Sequence, residues 1–343
     1  MKSARKLLTL VVLASVAGLA YVAQQTDAPG AQMVAAAQTF LGTLKDEQKT
    51  QATFAFDSKE RTNWNFTPQQ DKDKKATRKG LPLEDMTAEQ KKAALALVKA
   101  GTSETGNLAA TTIMHLESIL ADQEKNGAMV RKPGWYFFTV FGTPSKTGPW
   151  GWRVEGHHLS LNFTMDGTQV VASTPTFFGA NPAEIKDGPN KGKRILASSE
   201  DLAIDLFKSL NAEQKKVAYQ DKQFPEPGEK TLVPKLGKPV GVPRSQLSMT
   251  QKEVLWQLLK SYTERMHPQV AEAELKLVKD GGLDQVHFAY TGDTEPGKGH
   301  TYRIHGPSFV VEFLNMQPDS AKNPANHIHS CWRHVTGDFG LNN

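Results

Sequence analysis

Ten histidines stand in the chain, unevenly spread: His157 and His158 are adjacent in the middle, whereas His287, His300, His305, His327, His329 and His334 crowd the last fifth. Neutral imidazole is the commonest protein ligand for transition metals and the usual proton carrier near neutral pH, so this clustering is where chemistry is to be sought. Asn326-His327-Ile328-His329, read as extended chain, puts two imidazoles on one side of a strand. Such a pair suits two ligands of one ion, and a third from a distant segment would complete a facial set. Glu155-Gly156-His157-His158-Leu159-Ser160-Leu161-Asn162-Phe163 offers that third ligand. Read as a strand, it sets His157 on a face with Glu155, Leu159 and Leu161, and His158 on a face with Ser160 and Asn162, so only one of them serves a given pocket. His300 and His305 come from a strand expected beside the one that carries Glu312.

Carboxylates and cations accompany these rings. Glu155 and Glu312 are placed to act as a base or to orient a ligand, and Arg153, Arg303 and Arg333 to hold an anionic group. The plainer alternatives are structural. A single histidine is more often a core residue bonded to a backbone carbonyl than a ligand, and Arg153 and Arg333, each beside a tryptophan, serve equally well as cation–π and salt-bridge fixtures. Trp135, Trp150, Trp152, Phe177 and Phe178 read as core. Cys331 lies near His329 and His334, but alone beside a tryptophan it reads as packing rather than as a nucleophile. The chain has no Gly-x-Ser-x-Gly elbow, P-loop, His-Glu-x-x-His or dinucleotide fingerprint.

The elements that must position these residues follow from periodicity. From Ala35 to Ala100 the pattern is helical, and Leu108 to Lys125 forms a further helix with Ile113, Leu116, Ile119 and Leu120 at core spacing; His115 and Glu117 fall on different faces of it. One phrase recurs at helix starts: Asp46-Glu47-Gln48-Lys49, Ala88-Glu89-Gln90-Lys91, Ala212-Glu213-Gln214-Lys215 and, weaker, Thr250-Gln251-Lys252. A duplicated unit would explain it, but capping boxes resemble one another because their physics is shared, and that reading is preferred. Strands are expected at Trp135–Phe141, Trp152–Met165, Gln169–Ser173, Gln285–Tyr290, Thr301–His305, Ser308–Leu314 and His327–His334. Phe177 to Pro182 reads as a loop, Ser199 to Leu210 as helix, and Phe224 to Arg244, rich in Pro and Gly, as a surface excursion. Gln251–Met266 and Val270–Val278 complete the helices. The result is an α+β fold with a mostly antiparallel sheet assembled from the middle and C-terminal segments and packed with several helices.

Lys2, Arg5 and Lys6 precede an uncharged apolar run from Leu7 to Ala23, the order of a signal peptide; an uncleaved anchor is the alternative. Residues 1–23 are therefore read as a leader. Residues 24–343 are read as one domain, helical over about 35–126 and mixed over about 134–343, in a periplasmic or secreted protein with no later membrane span. The net charge of +5 falls to near +2 without the leader, and the basic run Lys72–Lys79 is interrupted by Asp73, so nucleic acid is not an expected partner. One cysteine cannot make an internal disulfide.

The segments Phe54–Trp64, Trp150–Phe163, Phe177–Glu184 and Ala325-Asn326-His327-Ile328-His329-Ser330 through Trp332-Arg333 to Gly337-Asp338-Phe339-Gly340 together resemble a bacterial family filed as domain of unknown function 3500. The resemblance spans nearly all of the chain after the leader and implies one full-length family unit. Where this chain has Ile304-His305-Gly306 the family pattern more often carries Gln before the Gly, which sets His305 behind His157, His158, His300, His327 and His329. The expectation is a divalent metal, zinc first and copper or iron as alternatives, serving a hydrolase of a polar or anionic small molecule or polar polymer. A redox enzyme and a non-catalytic ligand-binding module are the competing readings.

Overall fold

A computed structural model describes residues 29–125, 127–295 and 297–341; the leader expected at 1–23 lies outside the described residues. The chain order is α1 (Pro29–Thr43), α2 (Asp46–Ala52), β1 (Thr53–Phe54), β2 (Leu81–Pro82), α3 (Ala88–Gly101), α4 (Glu104–Gln123), β3 (Phe137–Gly142), β4 (Pro149–Gly156), β5 (Leu159–Asp166), β6 (Gln169–Ala172) and β7 (Thr176–Ala180). The second half runs α5 (Ala197–Ser209), α6 (Ala212–Ala218), β8 (Val242–Pro243), α7 (Met249–Thr263), α8 (Pro268–Asp280), β9 (His287–Gly292), β10 (His300–His305), β11 (Phe309–Gln317) and β12 (His327–His334). The fold is α+β, as the periodicity implied. No described helix is long and apolar enough to cross a membrane.

The described strands join one sheet in the order β1-β3-β4-β5-β7-β12-β11-β10-β9-β8, with β2 on β3 and β6 on β5 off this path, and β3-β4-β5-β7 on one side matches β9-β10-β11-β12 on the other. The registers repeat too. Trp152 pairs with Phe163 and Val154 with Phe138; 150 residues later Tyr302 pairs with Phe313 and Ile304 with Phe288. Thr176 of β7 pairs with Trp332 of β12, and these two are equivalent positions, so an approximate two-fold axis passes between them.

The duplication set aside above is therefore real, and the shared helix starts are part of it. Each half ties its helices with the same buried glutamine. Gln90 donates to Thr43 O and Gln48 Oε1, both at 2.8 Å, and accepts from Thr87 N. Gln251 donates to Ser209 O at 2.8 Å and Gln214 Oε1 at 3.0 Å, and accepts from Ser248 N. Convergence on good caps would account for the cap bonds but not for this link between helices. Gln90→Ala and Gln251→Ala each strand buried backbone partners, so each is expected to destabilise by about 1–3 kcal/mol, to a similar extent, in urea unfolding. A large loss in one variant and none in the other would contradict the equivalence.

Alternation along the strands separates two interiors. Trp150, Trp152, Tyr302, Ile328 and Trp332 point to the helices: Gly101 lies against the Trp152 ring, and Tyr262 meets both Tyr302 and Trp332. Trp152 and Phe163, stacked at 4.5 Å, are buried there. The opposite face carries Arg153, Glu155, Arg303, Glu312, Cys331 and Arg333, and is covered by loops. The Phe224–Arg244 excursion is one of these covers rather than free surface, and the 55–80 segment is its counterpart. Arg333 lies over Trp64, Arg303 over Phe224, and Arg153 reaches Glu60.

β7 corrects another expectation, since Phe177 to Ala180 is a central strand and not a loop. Both its faces are buried, which removes the polar alternation that marks a half-exposed strand.

Candidate metal centre

β4 and β5 are joined by a two-residue turn made of His157 and His158, which corrects the reading of both as strand residues. His158 has φ of 63°, a left-handed conformation that second turn positions demand and that histidine adopts more readily than branched residues. Three bonds fix the turn: His158 N–H donates to Phe66 O at 2.9 Å, His158 O accepts from Gly179 N–H at 2.8 Å, and His157 O accepts from the Tyr136 hydroxyl at 2.9 Å. The alternation argument for choosing between the two rings thus falls away, and the turn itself sends them to different partners. In the second repeat the same turn is Pro307-Ser308, without an imidazole.

β12 supplies the other two rings as the His-x-His spacing implied. His327 and His329 share the loop-covered face, while Ile328 between them is buried against the helical side. β11 bulges between Asn315 and Gln317 beside His327, and Asn315 Oδ1 accepts the His327 N–H at 3.0 Å.

The three rings meet by their Nε2 atoms. His327 Nε2 lies 2.8 Å from His158 Nε2, and His158 Nε2 lies 3.1 Å from His329 Nε2. A ligand atom from each of the three is within 4.8 Å of the others. Around an ion with metal–nitrogen bonds of about 2.0–2.1 Å in tetrahedral geometry, nitrogens stand about 3.3 Å apart, so a small movement seats them.

Proton placement favours the same conclusion. Glu226 Oε2 takes the Nδ1 hydrogen of His329 at 2.6 Å, leaving a lone pair on Nε2. His327 turns Nε2 to His158 and is also hydrogen-bonded to the backbone of Pro318, which can only accept. Two lone pairs therefore aim at His158 Nε2, and a single proton there bonds well to only one of them. Burial, reinforced by the neighbouring imidazoles, holds His158 well below the usual imidazole range. Burial also pushes His327 down to about 2, with His329, His157 and Arg131 adding to it. Neutral imidazoles, the form that binds metal, are the stable state.

Aromatic rings close one side. Phe66 and Phe177 stack at 3.9 Å, and the His329 ring meets Phe66 at 5.1 Å and Phe177 at 5.8 Å. Gly179 gives the His158 ring its space: a Cβ there would stand 2.8 Å from Ile328 O and 3.1 Å from His158 Cδ2. Gly179→Ala forces both the β12 backbone at Ile328 and the His158 ring to move, and should weaken metal binding by about tenfold or more, as loss of ligand support commonly does. Calorimetric titration of folded variant and wild type with zinc checks this; equal affinities would contradict it.

The other sequence-derived candidates are placed elsewhere. His157 stacks on His158 with centroids 3.7 Å apart, but its Nδ1 is bonded to Glu117, and Arg131 Nη1 lies 3.1 Å from it. His300 lies on the helical side, against Tyr290, Phe313 and Glu200. Glu155 is held by Arg78 at 2.7 Å and Arg153 at 3.4 Å and accepts the Asn65 N–H. Glu312 pairs with Arg303 at 2.7 Å, and Arg333 with Asp338 at 2.7 Å. Among the described residues none of the hydrogen bonds or ion pairs given for these groups runs to the three imidazoles. Cys331 is buried, and burial raises its thiol well above the usual range, which suits packing.

Four groups at the centre went unread. Glu117 had a signal, because Ile113, Leu116, Glu117 and Leu120 form one helical stripe and a carboxylate within it implies a buried partner. Glu226 sits in a Pro- and Gly-rich stretch, Phe66 in a loop, and Arg131, bonded to Glu124 at 2.8 Å, follows a helix end; local pattern marks none of these.

No curated protein and no solved structure matches this chain. A family model described as a protein of unknown function, DUF3500, matches residues 26–341. The order of motifs that carried the resemblance is thus the family's own, and this chain belongs to that family.

Proposed function

We propose that His158, His327 and His329 hold one divalent transition-metal ion, with zinc the favoured occupant, and that the protein is an exported metal-dependent hydrolase of a polar or anionic small molecule. The observation that carries this is the convergence of three Nε2 atoms, one of them on a ring with a carboxylate on its far nitrogen. A three-histidine site leaves a fourth position for water, and a zinc ion in such a site lowers the pKa of bound water to about 7. Glu226 orients His329. Arg131, drawn toward the centre by His157 and held by Glu124, supplies a cation for an anionic group of the substrate. Glu155 and Glu312, expected as base or orienting group, give way to Glu226 as the carboxylate that orients a ligand, while Glu117 holds the adjacent His157.

Metal analysis of protein purified without chelators tests the reading, together with ester and phosphoester hydrolysis assays before and after EDTA. One zinc per chain and activity lost to chelator and restored by zinc are expected. A paramagnetic resonance spectrum of tightly held copper would redirect the reading to redox chemistry, and no metal with no chelator effect would leave a ligand-binding module. Export is tested by intact mass of the secreted protein, with removal of residues 1–23 expected.

A further inference from the structure

The two-fold repeat allows each site in one half to be compared with its counterpart. Trp150, flanked by Gly142 and Met165 in neighbouring strands, is buried and hydrogen-bonded to Gly167 O at 2.9 Å. Its equivalent is His300, flanked by Gly292 and Asn315. The helices correspond as well: Gln90 bonds Thr43 O and Gln251 bonds Ser209 O, which aligns α1 with α5 and sets Val34 opposite Glu200. An apolar trio of Trp150, Met165 and Val34 in the first half is thus a polar trio of His300, Asn315 and Glu200 in the second. Beside this polar trio lies a cavity of about 150 Å³, lined also by Glu184, Lys186, Arg194, Asp201 and Glu295.

Donors line this cavity, but Arg194 is turned to Glu200 and Asp201, Lys186 to Glu184, and Asn315 to Glu200. His300 is 2 % exposed, and its Nε2 has no hydrogen-bond partner. Lys298 O takes the Nδ1 hydrogen at 3.1 Å, so Nε2 presents a lone pair. Glu200 Oε1 stands 3.5 Å away, a second acceptor aimed at the same space. Asn315 Nδ2 already donates to Glu200 at 2.6 Å, and Arg194 engages the other Glu200 oxygen at 2.8 Å. A buried polar atom left unpaired is costly, and two facing acceptors call for something that donates to both. A metal ion finds too few ligands here, since among the described residues the one group of three or more lies at His158, His327 and His329.

We propose that this cavity is a binding site for a small primary ammonium compound, whose N–H groups bond His300 Nε2 and Glu200. The volume resembles that of an engineered cavity that takes up benzene, so the ligand has roughly six non-hydrogen atoms. The lining carries Glu184, Glu200, Asp201 and Glu295 against Lys186 and Arg194, so its net charge is negative and favours a cation. The site is separate from the metal centre, on the other face of the sheet, and stands whether or not that centre is a hydrolase. Asn315 connects the two, because its Oδ1 holds the His327 N–H and its Nδ2 holds Glu200.

Ethanolamine and 1,4-diaminobutane, with ethylene glycol and 1-butanol as uncharged controls, are the probes. Calorimetry and crystal soaks on the full chain are expected to show amine binding at millimolar or better affinity, with the nitrogen between His300 and Glu200. Glu200→Gln keeps the shape and should weaken amine binding by about tenfold or more, as loss of a charge-assisted bond implies. His300→Trp restores the residue of the other half and should abolish binding. Circular dichroism and urea unfolding of both variants confirm that they are folded. Ordered water alone in the cavity at saturating amine, or equal binding of the uncharged controls, would overturn the proposal.

Discussion

Replacing His327 or His329 by alanine removes stoichiometric metal binding, whereas His300→Gln leaves it intact. The prediction separates the three convergent rings from the rest of a histidine-rich C-terminal region. In the proposed centre each of the two supplies one of three ligand atoms, and two nitrogens alone would make a much weaker site. Loss of a partner that only orients a ligand costs about 10–100-fold in affinity, so Glu226→Gln should fall in that range and the alanine variants beyond it. Competition against a chromophoric chelator measures all four. A His300→Gln variant as impaired as His329→Ala would mean that the rings act through the fold and not on an ion.

The second large effect is on acid stability of the metal-free protein. His158 and His327 are held below the usual imidazole range, chiefly by burial. Below about pH 6.5 the unfolded chain therefore binds protons at these positions that the folded chain refuses. Stability is fully present above that pH and declines as pH falls toward the folded values, about 2 for His327. His327 alone removes up to about 1.4 kcal/mol per pH unit over this range, and His158 adds to the loss in the same direction. A His158→Asn, His327→Gln double variant keeps a residue suited to the left-handed turn and should flatten the dependence. Urea unfolding of both metal-free proteins at several pH values checks it, and parallel curves would contradict it.

Much of this arrangement was legible in the chain. β12 begins and ends where alternation placed it, with Ile328 and Trp332 on the helical face and His327, His329 and Arg333 on the other. Helix starts were marked by glutamines that bond back to the cap. What escaped was of two kinds. Some signals were local but ambiguous: His157-His158 carries no Gly, Asn or Asp to announce a turn, and β7 is apolar on both faces like a buried loop remnant. Others were not local at all. Glu226 reaches His329 across 103 residues, and Glu117 reaches His157 across 40. The duplication was hidden because the repeat retains its glutamine ties and glycine bends while Trp150, Met165 and Val34 give way to His300, Asn315 and Glu200. That divergence is itself informative, since the common scaffold needs neither the three imidazoles nor the polar cavity.

The most direct test is X-ray diffraction from crystals grown with zinc, collected on either side of the zinc absorption edge. One anomalous peak should appear about 2.0–2.1 Å from Nε2 of His158, His327 and His329, with Glu226 still on His329 Nδ1. A peak elsewhere, or none at that position with the three rings bonded to one another, would contradict the account.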